Sequence, residues 1–533
     1  MERRRLIGTF KIVLLLILGA LVGFQPVLTY RLPRSSESWS HLQNLDRIPG
    51  PLAASDVPRM LELFENRQHY TKYPLFYVMC EALSVDSALK AAVFSAAVFF
   101  ILPVLVFLVA STRLDQLSAM TAGIITAVAP SFVYTTNFFS GGEPLAIALM
   151  LAGLYLYLRH RPLAALPAFG LVILLHPITS LFLWVLILVM LVLGVGGNIG
   201  LREDAICTSI YSALLLLWLL FQISTGLPLG EYMVSNISSP ILVLSFVVVT
   251  LAALLARWVR VGSGAFSAGS LRRPLDRLVG LLTGRLTRVI LVLEVSLIVL
   301  FLACGVPGTQ NSLNPSHLVY YSPLLVLIAL PALAGPRPGS EVTSAMIFSF
   351  LGLLAVGLTL FSKGVPVYRL APYGTLSLAL LVAPVVRYPR LRWILPVLLL
   401  GLAATAYPEP ALYFGFDEQY YPAEDAAVSR CTELTLSGSV HTDVRMEDMV
   451  AYRTDREVIV TGAGGSSVGD ADLVLITENM REQGFYPPGA EWHRTPFRVE
   501  LGSLHELGNV LYDNGWSELY WAAGREIPLE AKE

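Results

Sequence analysis

The sequence predicts an all-α polytopic membrane bundle of about 13 transmembrane helices. A long first outer loop interrupts it, and a small extracytoplasmic α/β domain follows at the C-terminus. Three observations carry this expectation. Of the 533 residues 55% are apolar and only 14% charged, against about 25% charged in a soluble domain, and the mean hydropathy is +0.64. Apolar runs of roughly 15–20 residues recur, separated by short breaks holding Arg, Gly or Pro. The charge is also divided: residues 408–533 hold 23 Asp/Glu and 9 Lys/Arg, a net −14, so the rest of the chain carries +12 under an overall −2. A basic membrane part followed by an acidic tail implies two compartments and argues against a nucleic-acid partner.

The N-terminal Met-Glu-Arg-Arg-Arg precedes an apolar run without a convincing small-x-small site, so an uncleaved first span is expected. Hydropathy places spans at 9–28, 89–110, 118–136, 143–158, 163–176, 177–195 and 206–225. Further spans fall at 240–256, 289–306, 318–335, 342–361, 374–386 and 393–407. With the N-terminus cytoplasmic, the cytoplasmic side collects 18 Lys/Arg, while the opposite short loops hold only Lys363 and Arg369. That asymmetry fixes both direction and parity. It leaves a transmembrane domain over 1–407 in the cell membrane, with the 30–89 loop and the 408–533 domain outside. The basic segment 257–288, with its interleaved leucines, is either a surface helix on anionic lipid or a loop that sets topology.

From Pro408 the composition becomes that of a soluble domain. Val440–Val444, Glu457–Thr461 and Leu473–Thr477 read as short strands, with helical stretches near 423–436 and 446–453. Residues 509–520 read as a terminal hairpin turning at Asn514-Gly515. Gly462-Ala-Gly464-Gly lacks the spacing of a phosphate loop and reads as a turn. Cys80, Cys207, Cys304 and Cys431 have no metal or disulfide spacing. Because both Cys80 and Cys431 fall outside, a bridge between them is one of the arrangements open to them.

Ionisable groups near a bilayer are costly and tend to mark function. Four clusters gather at the outer side: Glu37-Ser-Trp39-Ser-His41 with the downstream Tyr73-Pro74-Leu75-Phe76-Tyr77; Gly141-Gly142-Glu143-Pro144; Leu175-His176-Pro177-Ile-Thr179-Ser; and Tyr368-Arg369-Leu-Ala-Pro372-Tyr373. Each also has a plain reading, as a solvated loop acid, a helix-start acid favoured by the dipole, a turn His capping a carbonyl, and an interfacial anchor respectively. Asn314-Pro-Ser-His317 lies on the same side, whereas Glu294 falls inside a span and suits pairing within the bundle.

In order and spacing these motifs resemble those of GT-C glycosyltransferases, archaeal oligosaccharyltransferases above all. Glu37-x-Trp39-x-His41 is similar to the family's Asp-x-Tyr-x-His, and Glu143 stands where its Gly-x-x-Asp-x-Glu element places acids. The resemblance implies that Glu37 is a general base or metal ligand, with His41 beside it among the catalytic residues. It implies that Glu143 is a second ligand to Mg2+ or Mn2+ and that Arg369 binds the donor phosphate, with His176, His317 and Tyr73 lining the cavity. Implied partners are a polyprenyl-phosphate sugar donor, a lipid- or protein-linked glycan acceptor, and membrane lipids. The chain departs from the pattern in having Glu37 rather than Asp, a single acid at the second element, and no Trp-Trp-Asp-Tyr-Gly in the outer domain. Transfer of one sugar is therefore favoured over transfer of a whole glycan. A lipid or solute transporter and a non-catalytic membrane scaffold are the other classes to be weighed.

Overall fold

The computed structural model describes residues 2–33, 36–46, 74–136, 142–195, 201–224, 239–261, 273–277, 280, 342–350, 370–389, 393, 396–397, 399–401, 403, 420–434, 438–454, 456–460, 473–483 and 509–521. The membrane part opens with α1 (Glu2–Tyr30). Inside the 30–89 loop lie two helices, α2 (Ser36–Asp46) and α3 (Pro74–Ala82). Then follow α4 (Ala88–Ser111), α5 (Gln116–Val128), α6 (Pro130–Thr136), α7 (Glu143–Leu158), α8 (Pro162–Leu175) and α9 (Pro177–Leu193). They are completed by α10 (Leu201–Ser224), α11 (Ser239–Val261) and α12 (Ala371–Val382), which runs on as a 3-10 turn over Ala383–Arg387.

Among the described residues three helical segments are long and apolar enough to cross a membrane: Thr9–Tyr30, Ala88–Ser111 and Arg202–Gln222. Five shorter apolar helices accompany them. Leu21, Leu28, Leu217, Leu244 and Leu255 stand outward on α1, α10 and α11, apolar faces suited to lipid rather than water. Inside, small residues let backbones approach. A Cβ on Gly19 of α1 would come within 2.7 Å of Phe100 O on α4, and one on Gly123 of α5 within 2.8 Å of Pro103 O.

The expected 118–136 span is in fact two helices. Ala129 turns extended (ψ 120) ahead of Pro130, which cannot continue the hydrogen-bond ladder of α5. The expected break at His176-Pro177 is present, with His176 extended (φ −155, ψ 121) between α8 and α9. At its far end α9 stops at Gly194 (φ 75), where Val195 N donates to Met190 O at 3.0 Å. Arg113 Nη2 donates to Val195 O at 2.7 Å and Arg260 Nη1 to Val192 O, so two cations sit on the negative end of this helix. On the same side Asp115 caps α5 through Leu117 N (3.0 Å) and Ser118 N (3.2 Å), and it pairs with Arg387.

The C-terminal domain holds α13 (Pro422–Glu433), β1 (Val440–Thr442), α14 (Val444–Thr454), β2 (Val458–Val460), β3 (Leu473–Thr477), α15 (Glu478–Gln483), β4 (Asn509–Asp513) and β5 (Ser517–Trp521). Its sheet has the order β2-β1-β3-β5-β4, parallel across β2, β1 and β3 and antiparallel in the terminal hairpin. The first strand is shorter than expected because Asp443 leaves it to cap α14, its Oδ1 accepting from Met446 N at 3.0 Å. The hairpin turns at Asn514-Gly515 with Gly515 at φ 78, as the Asn-Gly pair predicts. A buried Glu424–Arg445 ion pair joins α13 to α14.

This domain seats on the outer loop. Trp39 of α2, fully buried, lies edge-on to Tyr420 (5.6 Å) and tilted against Tyr452 (5.6 Å), with the Arg453 guanidinium over its ring. Tyr452 OH reaches Asp86 O at 3.5 Å and Tyr30 packs edge-on to Tyr421. The suggested Cys80–Cys431 bridge does not form. Both thiols are free and buried, Cys80 in α3 and Cys431 in α13, each enclosed by apolar neighbours. Burial pushes the Cys431 thiol up to about 12, and that of Cys80 well above the ordinary thiol range.

Candidate active site

Three helices begin at the same end of the bundle, each with Pro in its first turn: α7 at Glu143-Pro144, α9 at Pro177 and α12 at Ala371-Pro372. Proline suits that position because the missing N–H has no intrahelical acceptor there anyway. The first turn of each helix supplies one polar side chain to a common point. Tyr373 OH donates to Glu143 Oε1 at 3.0 Å, and its oxygen lies 2.6 Å from Thr179 Oγ1. Thr179 Oγ1 is in turn 2.9 Å from His176 Nδ1, which also caps α9 by accepting from Thr179 N at 3.3 Å. The far nitrogen, His176 Nε2, stands 3.9 Å from Glu143 Oε2. The result is a closed ring of four side chains, all buried: Glu143 is 6% exposed, His176 2%, and Thr179 and Tyr373 0%.

Burying a carboxylate is costly without compensation. Here hydroxyl and imidazole partners provide some, and Glu143 lies at the helix start, where the dipole favours negative charge. Gly142 makes the approach possible. It is left-handed (φ +88), and a Cβ there would meet Leu175 O at 2.8 Å and Phe76 Cβ at 3.3 Å.

Phe76 of α3, in the 30–89 loop, lies against Gly142, the residue before Glu143. Its aromatic ring lies edge-on to His41 at 5.4 Å, and His41 Nδ1 is 2.6 Å from Tyr77 OH. Of the residues singled out from sequence, Glu143 and His176 therefore meet directly, and His41 packs on Phe76, which lies against Gly142, the residue before Glu143. Glu37 stands in the first turn of α2, one helix turn before His41. Tyr73, His317, Arg369 and Glu294 lie outside the described residues. Among the described residues no three His, Cys, Asp or Glu side chains group as a metal site would need. The sequence reading missed Thr179 and Tyr373 as members of the site. Their signal was position: each follows a helix-start proline by one or two residues.

No protein-family model and no curated protein matches the sequence. Solved structures do match. The apo oligosaccharyltransferase of Archaeoglobus fulgidus superposes with a TM-score of 0.51 at 12% identity, over 97% of this chain and 75% of that one. The chain has a GT-C-like fold. The same Archaeoglobus enzyme in complex with Zn and sulfate gives a TM-score of 0.49 at 14% identity, over 95% and 73%. ArnT from Cupriavidus metallidurans bound to undecaprenyl phosphate gives 0.38 at 13% identity, over 98% and 99%.

Proposed function

We propose that this chain is a membrane glycosyltransferase that moves a sugar from a polyprenyl-phosphate-linked donor to a lipid- or protein-linked glycan acceptor on the non-cytoplasmic face. The observation that supports the reading is the buried Glu143 carboxylate, held beside His176 on a GT-C-like fold, with Phe76 packed between the preceding Gly142 and His41 of α2, the helix that also bears Glu37. In this reading Glu37 deprotonates the acceptor hydroxyl or ligates a metal, and His41 orients the acceptor beside it. Arg369 neutralises the departing phosphate bidentately. His176, His317 and Tyr73 line the cavity. The outer domain, seated on Trp39, holds α2 in place over the site.

The donor set suits a divalent cation in part. Glu143 Oε2 offers a carboxylate oxygen, whereas His176 Nδ1 accepts from Thr179 N, so the neutral ring carries its proton on Nε2 and turns an N–H rather than a lone pair toward that oxygen. Glu37 and Glu143 are the carboxylates that would hold it, and it would supply Lewis-acid charge at the donor phosphate. A strain lacking the gene should accumulate polyprenyl-phosphate sugar and lose glycan extension. Glu37→Gln, Glu143→Gln and Arg369→Ala should each fail to restore extension while still inserting in the membrane. Normal glycans in the deletion strain, or in the Glu143→Gln variant, would end this reading.

A further inference from the structure

Thr179 and Tyr373 carry no role in the reading above, yet they occupy the centre of the buried ring. Each hydroxyl touches one end of the acid–imidazole pair, and the two hydroxyls touch each other. The Glu143 carboxylate cannot rotate without losing Tyr373, and the His176 ring cannot flip without losing Thr179. Because the four groups come from the starts of three separate helices, the ring also locks those helix ends to one another.

We propose that Tyr373 and Thr179 are positioning residues. Their coupled hydroxyls set the carboxylate plane of Glu143 and the ring of His176 so that Oε2 and Nε2 face each other across 3.9 Å. This is the geometry in which outer groups orient the groups that react or ligate. The inference rests on Glu143 being a working acid, and it adds two residues with hydroxyls that act through it.

The variants are chosen to spare packing. Tyr373→Phe keeps the ring against Phe182, 4.7 Å centroid to centroid, and removes only the hydroxyl. Thr179→Val keeps the side-chain shape, and Thr179→Ser restores the hydroxyl. Each full-length variant is returned to the deletion strain, and glycan extension is measured per unit of membrane-inserted protein. Tyr373→Phe and Thr179→Val should each lower extension about 10- to 100-fold, the usual loss when an orienting outer partner is removed. Thr179→Ser should recover to within about threefold of the parent. The double variant Tyr373→Phe/Thr179→Val should be no worse than the poorer single variant, because one chain is being cut at two places. A purely structural role predicts additive losses that track the amount of folded protein, with no rescue by serine, and that result overturns the proposal. Parental activity in Tyr373→Phe and Thr179→Val beside a dead Glu143→Gln overturns the positioning role alone. A fully active Glu143→Gln overturns the reading beneath it.

Discussion

Substituting Gly142 by Ala tests the geometry of the site through stability alone. At φ +88 the new side chain incurs the left-handed penalty, about 1–2 kcal/mol for a residue with a Cβ. That Cβ would also lie 2.8 Å from Leu175 O, a backbone atom that no rotamer change can move, and 3.3 Å from Phe76 Cβ. Overpacking of this kind costs about 1–3 kcal/mol, so the sum is a loss of about 2–5 kcal/mol. Gly170 in α8 supplies the control. It is helical and nothing lies within 4 Å of its virtual Cβ, so Ala there should be favourable by about 0.5–1 kcal/mol. Thermal unfolding of the purified full-length protein in detergent can be followed with a thiol-reactive dye, since Cys80, Cys207 and Cys431 are free and buried until the fold opens. Gly142→Ala should melt clearly below the parent and Gly170→Ala at or above it. If the two variants melt together, the close approach of Gly142 to the α8–α9 break is wrong, and with it the placement of Glu143.

Two further outcomes follow from the described residues. Burial works against the Asp115 carboxylate, but hydrogen bonds from Ser118 and Arg387 outweigh it and hold the pKa at about 2, below the ordinary 3.8 of an aspartate. A folded-state value below the unfolded one contributes stability above about pH 4 that is lost as pH falls through about 2. Asp115→Asn should therefore melt below the parent at pH 5, with the gap closing between pH 4 and pH 2; a gap constant down to pH 2 contradicts the assignment. Cys80 and Cys431 should remain unmodified by maleimide in the native protein at pH 8 and react once it is denatured, and non-reducing electrophoresis should give no band shift on reduction. Rapid native labelling of either thiol would contradict its burial.

The parts of the fold legible in the sequence were those set by local chemistry. Asn514-Gly515 fixes a hairpin because its turn needs a left-handed residue, and His176-Pro177 breaks an apolar run because proline has no N–H to donate to the preceding ladder. The same rule applied to Pro130 would have divided the 118–136 run, but a continuous hydropathy maximum masks a single extended residue at Ala129. Helix α2 was hidden because Ser36–Asp46 is polar on average, and it gains its burial by packing Trp39 against a domain nearly 400 residues further on. A shared side was the ground for joining Cys80 to Cys431, but side is not depth; each is enclosed where apolar surfaces close over it. In the site itself, Glu143 and His176 stood out because ionisable groups are rare beside apolar runs. Thr179 and Tyr373 did not, because a hydroxyl in such a run ordinarily bonds its own helix, as Ser180 and Ser377 do here.

What converts these ordinary residues into a site is the arrangement of helix starts. Helices α7, α9 and α12 all present the N–H-rich, positive end of the backbone to the same place. Only an anion or a hydrogen-bond acceptor is at home there, and Glu143 is the carboxylate that the first turn of α7 provides. Proline at each start removes a surplus donor and fixes the entry angle, so the ring forms without competing backbone bonds. Parity then ties this local chemistry to the membrane. In an alternating bundle, helices that run the same way begin on the same side, so α7, α9 and α12 bring their starts to one face. In the proposed function, the anionic group of the donor would meet its acceptor beside this buried acid, at the shared start of the three helices.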